Sequence, residues 1–305
     1  MKKLRIHLRA QWVRNKKMVN PFLDPKKKIY KRTGEEAYQD YLDRLANGGD
    51  EDGDESDDLP PGAKDLDDLI DSPSKITRKG DVYVITNLTL FDLQGSPVKV
   101  YSEVELDASP VLGADGKPIK KSQPDWIAYY KEKNKKLPSL PLLYAIIEAA
   151  YDNQKNNDVA EELLESLKTD FKPSWLVTST RFNYSQDKIW HDFESSEQIE
   201  ITQNIPGIEE YLEKLVQEQE WEEPLRTIFM TKNLQKIPEV LGVYGIKGKL
   251  RTPDSDRETE RAAFAGFSFD YFAVICYNFL NDCGRSRGVY TSAAGAKKNR
   301  PYVRN

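Results

Sequence analysis

AAFAGFSFDYFAVICYNFLNDCGRSRGV, residues 262–289, is the stretch that decides how this 305-residue chain is read. It is crowded with Phe, Tyr, Asp, Asn, Ser, Ala and Gly, and it holds both cysteines of the chain, Cys276 and Cys283. Continued to Ala296 it contains no Lys, Glu, Gln, Met or Trp, although Lys and Glu are abundant elsewhere. A buried strand pair would exclude Lys and Glu, because cores reject long charged side chains. It would not place Asp270, Asn278, Asn281 and Asp282 among the aromatics, and it would not exclude Met, which irregular cores accept readily. The genetic code accounts for all five absences. Random replacement of the adenines in an Asn codon that ends in a pyrimidine gives every residue type except those five, and no stop codon. The composition therefore points to adenine-directed mutagenesis of this segment, with a buried core strand as the alternative.

Strand alternation divides the same stretch into two faces. Phe272, Val274 and Cys276 are expected in the core. Tyr271, Ala273, Ile275 and Tyr277 are expected to face a partner, continued by Asn278, Phe279, Asn281, Asp282 and Cys283 in the following loop. Phe264, Gly266, Phe267, Ser268 and Asp270 complete this expected surface upstream. Exposed aromatics mixed with Asn, Ser and Asp have the chemistry of an antibody paratope, in which rigid rings supply contact area and small polar groups supply adaptable hydrogen bonds. A patch of that kind on a protein surface marks an interaction site.

The frame around the stretch carries a resemblance. Arg261-Ala262-Ala263, then Phe272, Val274 and Cys276, then Leu280, then Arg285-Ser286-Arg287-Gly288-Val289 resembles the C-terminal variable region of diversity-generating retroelement target proteins, in particular the archaeal, Nanoarchaeota-type ones. The segment Trp175 to Tyr184, followed by Ile189-Trp190-His191, resembles the same family, and the resemblance spans residues 137–289. It implies a C-type lectin-like fold of the formylglycine-generating-enzyme-like subclass, with a small twisted antiparallel sheet and flanking helices. It also implies a variable ligand, a protein or surface, bound without catalysis or cofactor, and scaffold roles for Arg285 to Val289. Likeness of fold to formylglycine-generating enzymes carries no activity with it.

Outward from the C-terminus, the order of elements independently gives an α+β class. Residues 81–91 read as a strand with Val82, Val84, Thr86, Leu88 and Leu90 on a core face, and Tyr83, Ile85, Asn87 and Thr89 on a second face that turns from apolar to polar. A Gly- and Pro-bearing turn at 92–97 leads to a second strand over 98–106, and another turn is expected at 113–116. Residues 139–151 and 158–168 read as core-facing amphipathic helices, the first with Leu142, Leu143, Ile146, Ile147 and Ala150 on its apolar face. Residues 175–184 and 189–193 read as strands, 208–229 as one long helix and 233–241 as a short one.

Upstream of this ligand-binding domain, set at 76–296, residues 1–46 are basic and end in an expected helix over 34–46. Residues 47–75 form an acidic run expected to be a flexible linker, and 297–305 form a tail. The fragment Asp50 to Asp58 lacks the ligand spacing and flanking helices of a calcium-binding loop, so no metal is expected. His191 beside Trp190 and Asp192 reads as structural, and a Cys/His nucleophile pair would need contact that the sequence does not show. Gly242 to Gly248 lacks the Lys-Ser/Thr ending of a phosphate loop. A net charge of −5 argues against nonspecific nucleic-acid binding by the whole chain, though the basic N-terminus raises an RNA-binding arm as a rival reading. No signal-peptide pattern or membrane span is read, so a cytoplasmic or virion-associated protein is expected, with no membrane insertion.

Overall fold

The structure, a computed structural model, describes residues 70, 72–172, 175–192, 199–202, 205–252, 260–268 and 271–293, apart from the side chains of Tyr277 and Ala293. All of these belong to one unit, Ala63–Asn305. The expected N-terminal helix, the acidic run with its rejected calcium loop apart from residues 70 and 72–75, Asp270 and the tail lie outside the described residues.

The first sheet is built from β1 (Lys75–Lys79), β2 (Val82–Phe91), β3 (Pro97–Asp107) and β11 (Val289–Ala293), antiparallel in the order β1-β2-β3-β11. The β2–β3 turn is the one expected. Asp92 Oδ1 accepts from the amides of Gln94 and Ser96 at 2.9 and 2.8 Å, and Gly95 takes the left-handed conformation at φ +76°. The faces of β2 differ from simple alternation. Tyr83 and Ile85 are in the core at one end, Leu88 and Leu90 at the other. The parity changes at Asn87, a non-glycine residue at φ +59°, and β3 changes with it, from Leu106 and Val104 to Tyr101. Period-two counting cannot survive a backbone reversal of this kind.

The second sheet has seven strands in the order β6 (Ile199–Thr202), β5 (Lys188–His191), β4 (Leu176–Asn183), β9 (Glu260–Ser268), β10 (Tyr271–Asn278), β8 (Lys247–Thr252) and β7 (Ile208–Tyr211). It is antiparallel except for β10 against β8, which run parallel. The fold is therefore α+β, and this mixed sheet is larger than the small antiparallel one expected.

Helix α1 (Gln123–Glu132) was not anticipated from periodicity, yet its start signals are present: the Ser122 hydroxyl caps it and bonds Asp125 at 2.7 Å, with Pro124 in the first turn. Helices α2 (Leu140–Asn153) and α3 (Asp158–Phe171) fall where expected. α2 touches β1 and β2 of the first sheet and β4 and β9 of the second, so it lies between them. Its residues from Leu140 to Ile147 are all buried, a helix apolar around its whole circumference and not the one-faced amphipathic helix expected.

The long helix expected over 208–229 is instead β7, a single turn α4 (Leu212–Leu215), a 3-10 turn at Gln219–Trp221 and α5 (Glu222–Phe229). Ile208 to Tyr211 pair with Thr252 to Lys249, where Glu209 meets Lys249 and Arg251 across the strands. Those cross-strand ion pairs are tertiary contacts that helical counting does not see. Residues 233–241 form a 3-10 turn and α6 (Ile237–Leu241), close to expectation.

Candidate functional site

β10 is an interior strand, and its two faces meet different surroundings. Phe272, Val274 and Cys276 point into the main core, as alternation required. Phe272 stands 4.9 Å from the Phe171 ring and 5.4 Å from that of Tyr244, in an aromatic group that Phe267 joins at 5.6 Å. Phe267 is thus half-buried in that group, with Lys172 Nζ 4.8 Å from its ring centre, and is not part of the opposite face.

The opposite face is not the open surface expected of it. Phe264, Gly266, Ala273 and Ile275 are buried. Phe264 belongs to a second cluster with Trp126 and Tyr130 of α1, Leu137, Val177 and Ala262. Ile275 lies in register with Phe264 on one side and Arg251 on the other. Ala273 lies between Gly266 and Lys249, and Trp175 covers Gly266 so closely that a Cβ there would stand 2.8 Å from the indole. Gly266 therefore cannot carry a side chain unless Trp175 moves. α1, which period counting did not reveal, shares a cluster with Phe264, and Trp175 covers Gly266.

The remaining expected residues fall into two groups. Ser268 and Tyr271 are half-buried at one end of the β9–β10 hairpin. Asn278 is half-buried at the other end, and Phe279, Asn281, Asp282 and Cys283 are exposed in the loop that follows. Seven residue steps along the strand, roughly 23 Å, separate Tyr271 from Asn278.

At the first end, Lys249 is clamped between two rings, its Nζ 4.3 Å from the centre of Tyr271 and 4.5 Å from that of Tyr211. Neither Lys249 nor Tyr211 was expected at the site, Tyr211 being read as an apolar contact of the helix expected over 208–229, since only the pairing of β7, β8 and β10 brings them together.

At the second end, Phe279 is 58 % exposed, the highest exposure among the large hydrophobic side chains of the described residues. The loop that carries it is held at several points. The Phe279 amide donates to Asp282 Oδ2 at 2.8 Å, and the Asp282 amide donates back to the Phe279 carbonyl at 3.0 Å. Leu280 packs on the second cluster, and its carbonyl accepts from the Gln123 amide at 3.3 Å. Gly284 and Lys121 exchange both backbone hydrogen bonds at 3.0 Å, and Trp126 Nε1 donates to the Gly284 carbonyl at 2.8 Å. A Cβ at Gly284 would stand 2.5 Å from the Trp175 carbonyl oxygen. The guanidinium carbon of Arg261 lies 4.4 Å from the Phe279 ring centre and supports it from β9.

Beyond the loop, Ser286, Arg287, Gly288 and Val289 are buried. Arg287 pairs with Asp170 of α3, donates to Ser166 Oγ at 2.8 Å and reaches the Asp107 carbonyl at 3.3 Å. Asp107 also accepts the Gly288 amide at 3.0 Å and pairs with Lys135.

The reactive side chains are engaged separately. The Thr227 carbonyl can only accept, so His191 Nε2 carries the proton and donates to it across 2.9 Å. Nδ1 then accepts the Thr180 hydroxyl at 3.0 Å, and Thr180 Oγ1 accepts the Leu140 amide at 2.9 Å. Burial lowers the His191 pKa to about 4. Both ring nitrogens are occupied, which bears out a structural histidine and leaves none for a cysteine. Burial pushes the Cys276 thiol up, away from the thiolate a nucleophile needs. Among the described residues no group of three or more His, Cys, Asp or Glu is placed to hold a metal ion, and no helix is long and apolar enough to cross a membrane.

No protein-family model, curated protein or solved structure matches this chain.

Proposed function

We propose that this protein is a ligand-binding module of the C-type lectin-like kind, whose C-terminal loop is diversified by a retroelement through adenine-directed mutagenesis, and that it binds without turnover. The observation that carries this reading is the loop 278–283. An exposed Phe and a group of small polar residues are held on a base of backbone hydrogen bonds and a fixed Gly284. That is how a binding loop tolerates sequence change without loss of fold. The residue types missing from 262–296 support the same reading. So does the architecture, in which an antiparallel sheet joins the N-terminal strands to the C-terminal β11, with α2 and α3 packed beside it.

A second reading is favoured by one specific observation. Phe264, Ala273 and Ile275 are buried, so for the β9–β10 hairpin itself the composition can reflect packing, as it would in an intracellular enzyme or assembly protein with this strand as core. Sequencing the DNA on both sides of the gene separates the two. The proposal expects a nearby reverse transcriptase and a near-copy of the segment coding for 262–289 that differs at adenines, with the differences concentrated in codons 278–283 and at 268 and 271. If no such copy lies in the flanking DNA, the packing reading takes its place.

A further inference from the structure

The chain as a whole is acidic, but the surface beside the exposed loop is not. Residues 111–136 carry seven lysines against Asp115, Asp125 and Glu132, in a chain of net charge −5. This segment folds as one unit with the loop. Val111 and Ile119, bonded through the Ile119 amide and the Val111 carbonyl at 3.0 Å, pack on the second cluster beside Leu280, and Lys121 pairs with Gly284. Leu112, on the same hairpin, is 53 % exposed. Two of the three exposed large hydrophobic side chains of the described residues, Leu112 and Phe279, therefore flank one small cluster ringed by basic groups.

Part of that charge is fixed in place. Tyr129 of α1 packs edge-on against Trp126 and Tyr130, with ring centres 5.5 and 5.3 Å away, and holds Lys133 Nζ at 4.8 Å and Lys121 Nζ at 5.7 Å from its own centre. Arg261 is held on Phe279 in the same way. Lys117, Lys120 and Lys131 are exposed around these positions.

We infer that this face, comprising the 111–121 hairpin, the outer side of α1 and the loop 279–283, is a docking surface for an acidic protein segment with apolar anchors. The inference rests on the binding role proposed above for the loop and adds the chemistry of its partner. Charge complementarity between this lysine-rich face and its partner selects acidic chemistry. The apolar side chains select protein over nucleic acid. An apolar centre within a polar rim is the anatomy of a protein interface. Single-stranded nucleic acid needs open rings for its bases, whereas the lysines and neighbouring aromatic rings surround Tyr129, and Arg261 takes one side of Phe279.

Panning the full-length protein against a displayed library of random 16-residue peptides tests this directly. Enriched peptides are expected to carry net negative charge together with Leu, Ile or aromatic anchors. Their affinity is expected to fall at least ten-fold, with unchanged thermal stability, in the K117E/K120E/K131E variant, and to fall similarly in Phe279→Ala. Enrichment of neutral or basic peptides, or equal binding to the triple variant, would overturn the inference. So would an oligothymidylate that binds the same lysines more tightly than the selected peptides. The three lysines lie outside the varied segment. Peptides that depend on Phe279 but not on them would leave the binding loop standing and remove only the acidic partner, while absence of any enriched binder at Phe279 would count against both.

Discussion

At the scale of single residues, His191 shows how far a buried titratable group can be from a catalytic one. Its ring links β5 to β4 through Thr180 and to α5 through Thr227, and its pKa of about 4 lies below the ordinary value of 6.5 because burial penalises the cation. The unfolded chain therefore binds a proton that the folded chain refuses between those two values. The stability held by neutral His191 is complete above about pH 6.5 and is lost as pH falls toward 4, with a total of the order of 3 kcal/mol for a shift of this size. Urea unfolding of the wild type and of His191→Gln at pH 7.0 and pH 4.5 measures it. The wild type is expected to lose about 2–3 kcal/mol more than the variant over that interval. Equal losses would mean that the histidine titrates normally in the fold. Asp170 and Glu148, whose carboxyls burial pushes up, are common to both proteins and cancel in the comparison.

At the scale of elements, the segment after the loop acts as a clasp. Arg287 reaches α3 through Asp170 and Ser166 and β3 through the Asp107 carbonyl, and Val289 begins the strand that closes the first sheet. Burial pushes the Asp170 carboxyl up even with the Arg287 guanidinium beside it, so the pair is costly to split. Arg287→Met alone is expected to destabilise the fold by about 3–5 kcal/mol, because it leaves a buried carboxylate without a partner. Adding Asp170→Leu is expected to recover much of that loss, and a double-mutant cycle by chemical denaturation reads it. Failure to recover would show that the arginine's other bonds, to Ser166 and Asp107, carry the clasp. The resemblance implied scaffold roles for Arg285 to Val289, and Ser286 to Val289 are buried. The hairpin β2–β3, the helices α2 and α3 and the core face of β10 were legible from periodicity and turn residues, because each is decided by local pattern. The other face of β10 was not. On the adjoining strand, Phe264 packs with α1, more than a hundred residues earlier in the chain, and Gly266 lies under Trp175, and no counting within the hairpin can report either. β7 was lost for the same reason, since its strand character comes from Lys249 and Arg251 across the sheet.

At the scale of the whole molecule, the two sheets share α2 as a common core, and the second cluster under α1 adds a smaller core on the outer side of the larger sheet. The segment that looks varied runs through both cores before it reaches solvent, so tolerance to substitution must change sharply along it. Every side chain at Gly266 would meet Trp175, and Phe264 is locked between Val177 and Ile275 in the sheet register. At Phe279, Asn281, Asp282 and Cys283 the side chains face water. A library holding all residue types singly at positions 262–289, sorted for protease resistance of the full chain, measures this profile. Substitutions at 279, 281 and 283 are expected to stay within about 0.5 kcal/mol of the parent, as surface changes do, while loss of the Asp282 carboxylate that accepts the Phe279 amide is expected to cost about 1 kcal/mol. Truncation of Phe264 is expected to cost about 3–5 kcal/mol, as for buried aromatics generally. A retroelement that varied the buried positions as freely as the loop would destroy most of its products. The tolerance profile should therefore coincide with the adenine differences of the proposed flanking copy, and a flat profile across 262–289 would show that the hairpin does not pack as described.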